Sequence, residues 1–111
     1  MLTFEDITAG SHRVLALTGR LDTNTSSELD RHLAEHVGLA DRLVLELTSI
    51  EYVSSAGLRV VLMLAKKLQR GGGALVLCGM NAGVREVFDI AGFSKILTIE
   101  PDRASALTRL G

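Results

Sequence analysis

The chain has 111 residues, enough for one domain built on one core. Its 47% hydrophobic and 23% charged residues are a globular composition, not a disordered one. A net charge of −1 argues against a general nucleic-acid binder, which needs a basic surface.

The start, Met1 to Asp6, lacks the basic stretch and apolar run of a signal peptide, and no window offers about 18 uncharged apolar residues. These features predict a cytoplasmic protein with no membrane association. Cys78 is the single cysteine, so no internal disulfide forms. Its apolar run Ala74–Cys78 marks a buried thiol.

Taken in order, Leu2 to Ile7 reads as an edge strand and Ala9-Gly10-Ser11 as a turn. Val14 to Leu17 is a short apolar strand closed by Thr18-Gly19. Thr25-Ser26-Ser27-Glu28 has the pattern of a capping box, opening a helix with Leu29, Leu33 and Val37 inward and Gly38 as its stop. Leu43 to Leu47 is near-continuously apolar, which suits a central strand. After Ser55 a helix runs to about Arg70, burying Leu58, Val61, Leu62, Ala65 and Leu68. The triplet Gly71-Gly72-Gly73 stops it, and Ala74 to Cys78 forms a fourth strand. Asn81 caps a third helix with Val84, Val87, Phe88 and Ala91 inward, ended by Gly92. Lys95 to Ile99 is a fifth strand, and Pro101 lies in the first turn of a last helix with Leu107 and Leu110 inward.

Strands and helices alternate, so the expected fold is a single α/β domain over residues 1–111. A mixed, mostly parallel sheet of about five strands is covered by about four helices. Function in such sheets gathers beyond the carboxyl ends of the strands. The loops there are Gly19 to Asn24, Thr48 to Ser55 and Gly79 to Asn81.

The middle loop carries Tyr52-Val53-Ser54-Ser55-Ala56-Gly57-Leu58, the most informative run of the chain. A hydroxyl at a helix N-terminus faces unpaired N–H groups and a partial positive charge, which suit a phosphate. Phosphorylation there adds roughly two negative charges without melting the helix. A nucleophilic hydrolase serine needs other company. The G-x-S-x-G elbow is absent, and no His–Asp pair is placed to activate Ser55.

Other patterns carry less. His32-Leu33-Ala34-Glu35-His36 spells H-x-x-E-H, but no motif supplies a third ligand, so no metal is expected. Gly79 to Gly83 lacks the Lys-Ser/Thr of a phosphate loop, so no bound nucleotide or other cofactor is expected. Arg59, Met63, Lys66 and Arg70 form a basic stripe with an apolar centre on the helix after Ser55, away from its core face. Such a stripe is either a solvated face, its usual meaning, or a partner-binding strip beside the serine pair.

Gly19-Arg20-Leu21-Asp22, the segment Leu45 to Val53, Ser54-Ser55-Ala56-Gly57-Leu58 and the segment Val84 to Phe93 together resemble the STAS domains of anti-sigma factor antagonists. The resemblance spans the whole chain. It implies a partner switch. The unphosphorylated antagonist binds an anti-sigma factor that is a serine kinase of the GHKL type and frees its client. The kinase phosphorylates the antagonist, which lets go, and a metal-dependent serine phosphatase resets it. Nucleotide and metal belong to those partners, and the chain itself is not an enzyme.

The family's D-S-[ST]-G-L motif places the phosphoacceptor at Ser55. Ser54 stands at the aspartate position and becomes a rival site, and Ala56 stands where a second hydroxyl is frequent. The expected contact surface comprises Asp22, Asn24, Thr25, Ser54, Ser55, Gly57, Arg59, Met63 and Lys66. The free protein is expected to be a monomer. Alternatives are a non-switching STAS scaffold or transporter subunit, and a switch whose client is not a sigma factor, as in secretion, biofilm or motility control.

Overall fold

The computed structural model describes residues 2–111. Strand β1 (Leu2–Ala9) turns back into β2 (His12–Leu21), and helix α1 (Thr23–His36) follows. Strand β3 (Arg42–Val53), helix α2 (Ser55–Arg70), strand β4 (Ala74–Cys78) and helix α3 (Ala82–Ile90) come next. A 3₁₀ turn (Phe93–Lys95), strand β5 (Thr98–Glu100) and helix α4 (Arg103–Leu110) complete the described chain.

The five strands lie in the order β1-β2-β3-β4-β5. Only β1 with β2 is antiparallel. Sequential parallel strands joined by right-handed crossovers send every connecting helix to the same face. Thus α1, α2 and α3 cover one face, where Leu15, Leu45 and Leu77 meet Leu29, Leu33, Val61, Leu64, Leu68 and Phe88. Helix α4 closes no crossover and is free to cover the other face. There Ala106 and Leu110 pack on Val14, Val44, Val76 and Cys78. The alternation of Val14 with Leu15, Val44 with Leu45 and Val76 with Leu77 is the two-residue period of a sheet buried on both sides.

Burial pushes the Cys78 thiol up to about 11, with the Glu46 carboxylate adding to the shift. At pH 8 that leaves roughly one thiolate in a thousand. Alkylation of the native protein is therefore expected to lag that of the denatured protein by at least about 100-fold, read by intact mass over time.

Several boundaries differ from the sequence reading. Strands β2 and β3 do not end at Thr18-Gly19 and Leu47. They continue together to Leu21 and Val53 as a two-stranded extension beyond β4. Along β3 the inward residues Leu47, Ile50 and Val53 are three apart, not two. The cause is two register shifts, each adding a residue to β3 opposite β2. Bulges of this kind break the alternation and turn a strand end. The segment Thr48 to Val53 is thus strand, and only Ser54 links it to α2.

Helix α1 starts at Thr23 with Asp22 as its cap, three residues before the expected Thr25. The aspartate accepts from two backbone N–H groups, an arrangement that outcompetes a hydroxyl at Thr25. The fifth strand is shorter and later than Lys95 to Ile99, because Phe93–Lys95 closes a 3₁₀ turn. Pro101 precedes the α4 cap, Asp102, and lies outside the first turn. In α2, Leu64 is buried, whereas Leu62 and Ala65 are only partly covered. Ala91 is exposed just past α3.

Candidate functional site

At the carboxyl ends of β2 and β3, Leu21 pairs in register with Val53. Each strand then runs directly into a helix, so the N-termini of α1 and α2 stand side by side. The Ser54 N–H donates to the Leu21 carbonyl at 2.8 Å and joins the two starts. They are capped differently. Asp22 Oδ1 accepts from the N–H groups of Asn24 (3.0 Å) and Thr25 (2.9 Å), and the Asp22 N–H donates back to Thr25 Oγ1 at 2.9 Å. That is a capping box closed by threonine. Ser54 Oγ accepts from the Gly57 N–H at 3.2 Å, a longer and uncharged cap. One helix start therefore carries a carboxylate and the other carries none.

Helix N-termini favour anions. The α1 terminus is already satisfied by Asp22. The α2 terminus retains its demand, and the first residue presented there is the exposed Ser55. The two serines are thereby distinguished. Ser54 is half-buried and occupied as a cap, whereas Ser55 takes no part in the cap and faces out.

The Thr25 N–H, followed by burial in the opposite sense and by the Thr25 hydroxyl, holds the Asp22 carboxyl below its ordinary range. A lowered carboxylate contributes stability that is complete above its unfolded value and disappears as pH falls through the folded value. Asp22→Asn keeps an acceptor but loses the charge. Its acid unfolding, followed by circular dichroism below pH 4, is expected to be shallower than that of the wild type.

The expected contact residues divide on exposure. Asn24, Ser55, Arg59, Met63 and Lys66 are exposed, and Asp22 and Ser54 are half-buried. Met63 leaves 57% of its surface in water, unusual for a methionine in a small domain. The other two, Thr25 and Gly57, are buried. Thr25 is only 4% exposed, and its hydroxyl donates to the Arg20 carbonyl at 2.7 Å, so it shapes the loop from inside. Gly57 is buried under Leu21, so its role is packing.

One element of this surface was absent from the sequence reading. The Arg20 guanidinium lies 4.6 Å from the centre of the Tyr52 ring, and Tyr52 is 41% exposed. This cation–π pair stands beside Ser54 and Ser55, because Arg20 and Tyr52 are register partners on β2 and β3. Tyrosine and arginine are the residues that most commonly anchor interfaces. The only sequence signal was Tyr52 two positions before Ser54. The bulges that pair it with Arg20 have no sequence signature.

The histidine pair takes a structural place. His32 stacks on Phe4 with ring centres 4.2 Å apart, and its Nε2 lies 2.9 Å from Asp6 Oδ2. It thereby ties α1 to β1. Among the described residues no three His, Cys, Asp or Glu side chains converge as metal ligands. No helix among the described residues is long and apolar enough to cross a membrane.

Comparison with known proteins agrees with this geometry. The STAS domain profile matches residues 4–106. BtrV of Bordetella bronchiseptica, assigned as an anti-sigma factor antagonist, is 42% identical over 94 residues, covering 84% of this chain and 81% of BtrV. The anti-sigma F factor antagonist of Paenibacillus polymyxa is 30% identical over 99 residues, covering 87% of this chain and 85% of that protein. The crystal structure of an anti-sigma factor antagonist from Mycobacterium paratuberculosis superposes with a TM-score of 0.90 at 22% identity, covering 99% of this chain and 94% of that one. A five-stranded mixed sheet, two adjoining helix starts and a profile match over nearly the whole chain place this protein in the STAS domain family.

Proposed function

We propose that this chain is an anti-sigma factor antagonist working through a phosphorylation-controlled partner switch. The unphosphorylated form binds an anti-sigma factor that is a serine kinase of the GHKL type, and the client is freed. The kinase transfers the γ-phosphoryl group of ATP to Ser55 Oγ, the hydroxyl proton leaves to a base of the kinase, and ADP departs. Phosphorylated protein then dissociates, and a metal-dependent serine phosphatase hydrolyses the ester. The chain itself acts as a substrate and a binding module, a cytoplasmic monomer when free. Nucleotide and metal stay with its partners.

One observation carries this reading: Ser55 is the exposed first residue of α2, at the only one of two adjoining helix starts that lacks a carboxylate. The names of the Bordetella and Paenibacillus relatives support the class of partner. The surface around Ser55 supports a contact role, since Arg20, Tyr52 and Arg59 are exposed near its loop and Met63 is exposed two turns further along α2. A phosphate there meets the α2 terminus favourably within the protein. Against an acidic or desolvating partner surface it is repelled.

The test is a mass spectrum of the protein expressed in its own cells, with fragmentation across Val53 to Arg59. Phosphate on Ser55 is the expected result. Phosphate on Ser54 alone moves the acceptor. No phosphate under any growth condition overturns the switch in favour of a static scaffold.

Ser54 and Ser55 also separate by stability. Ser54→Ala removes the cap and is expected to cost about 1 kcal/mol in denaturant unfolding. Ser55→Ala, at an exposed position outside the cap, is expected to stay within about 0.5 kcal/mol of wild type.

A further inference from the structure

Helices α1 and α2 lie side by side on the covered face, and their outer edges leave a groove of about 290 Å³. Its floor is apolar, made by Leu33, Val37, Val60 and Leu64. Ala34 lines the α1 side with a small side chain, and the exposed Met63 lines the α2 side. The charges on the rim are unbalanced. Lys66, Lys67 and Arg70 line one side, against the single carboxylate of Asp30. The volume falls at the lower bound for small-ligand pockets, which hold roughly 300–1,000 Å³, so an anchoring side chain fits better than a cofactor. Along α1 the lining runs from Asp30 to Ala34, about 6 Å, and continues past the helix end to Val37 and Gly38.

We infer that this groove docks an acidic amphipathic helix of a partner protein. Apolar side chains on one face of that helix fill the floor, and its carboxylates meet Lys66, Lys67 and Arg70. Helix-in-groove recognition uses anchors at such spacings, and the net positive rim selects the sign of the partner. The position adds a second property. Leu64 and Lys67 lie about 14 and 18 Å along α2 from Ser55, at about 1.5 Å per residue. Both distances exceed the screening length of about 8 Å at physiological salt. The basic rim is therefore screened from a phosphate on Ser55, and only the apolar Val60, about 7.5 Å along α2, lies nearer. A partner held mainly by Leu33, Val37, Lys67 and Arg70, which lie outside the expected Ser55 contact surface, stays attached while that surface, with Met63 and Lys66, switches. The inference goes beyond the phosphoswitch and does not rest on it.

The test uses the full chain and two synthetic helical peptides with the same leucine face, one with glutamates on its polar face and one with lysines. Binding is followed by fluorescence anisotropy and by amide shift changes in nuclear magnetic resonance. The acidic peptide is expected to bind at least about tenfold tighter than the basic one, with shifts confined to residues 30–38 and 60–70. The triple variant Lys66→Glu, Lys67→Glu, Arg70→Glu changes only exposed side chains. It is expected to fold normally and to lose that preference. Ser55→Asp is expected to bind the acidic peptide within about twofold of wild type. Equal binding of the two peptides, shifts elsewhere, or no shifts at millimolar peptide overturns the docking site. A large effect of Ser55→Asp overturns the retained attachment. None of these readouts involves kinase or ATP, so they fail separately from the phosphoswitch.

Discussion

Under the proposed switch, Ser55→Asp is expected to weaken binding of the anti-sigma kinase by more than about 100-fold while leaving the protein slightly more stable. The two effects have opposite signs because the same charge meets two different surroundings. Within the chain, a carboxylate at the first position of α2 lies at the helix start that lacks one. Charges of that sign at a helix N-terminus contribute about 0.3–1 kcal/mol of stability. Across an interface, the new charge must be desolvated against a surface evolved to accept a neutral hydroxyl. Like-charge or unpaired juxtaposition there costs several kcal/mol. About 3 kcal/mol corresponds to more than 100-fold in affinity. Calorimetric titration with the kinase and thermal unfolding of the same samples check both halves. A binder with reduced stability points to misfolding. A stable variant with wild-type affinity removes Ser55 from the contact surface. Ser55→Ala is the matching control: it keeps wild-type affinity, takes no phosphate and resists release by ATP.

Gly57→Ala is expected to destabilise the protein by about 1–3 kcal/mol, the cost of overpacking a tight core. A Cβ at Gly57 meets Leu21 Cγ at 2.7 Å and the Leu21 carbonyl at 3.0 Å. That carbonyl is the acceptor of the Ser54 N–H, so relief by moving Leu21 disturbs the joint between the two helix starts. Relief by moving α2 weakens the bond from the Gly57 N–H to Ser54 Oγ. Both routes reach the Ser54–Ser55 loop, so under the proposed switch the variant is also expected to bind the kinase less well at temperatures where it remains folded. Gly83→Ala is the contrast. It lies in α3 and its added Cβ meets only Asn81 Oδ1 at 3.4 Å. There the entropy saved in the unfolded chain prevails, and a gain of about 0.4–1 kcal/mol is expected. Paired urea unfolding of the two variants separates close approach from helix propensity. If Gly57→Ala were as stable as Gly83→Ala, the packing of α2 on Leu21 would be looser than 2.7 Å requires.

Much of this architecture was written in local pattern. The apolar runs around Val14, Leu45 and Val76 are strands whatever their neighbours, because both faces of each are buried. Helix spacing marked Leu58, Val61 and Leu68 as core, and Asn81 as a cap, since those signals need only 3.6-residue periodicity and one side-chain acceptor. The order of these elements was enough for a mostly parallel sheet, and Ser55 stood out because a hydroxyl pair followed a strand and opened a helix.

Contacts between distant segments decided the rest. The extension of β2 and β3 past β4 rests on pairing between residues about thirty apart, and its bulges erase the alternation by which a strand is recognised. That pairing alone brings Arg20 onto Tyr52, Leu21 onto Gly57 and the α1 start beside the α2 start. It turned Thr25 and Gly57 from expected contact residues into buried supports, because exposure is set by what packs over a residue and not by its polarity or motif. The groove between α1 and α2 likewise exists only once both helices share one face of the sheet. By itself, then, the sequence determined the elements, their alternation and the serine pair, all encoded within a few residues. Tertiary structure decided that the two helix starts adjoin, that Arg20 meets Tyr52 and which side chains stay exposed, because each depends on register and packing between segments far apart in the chain.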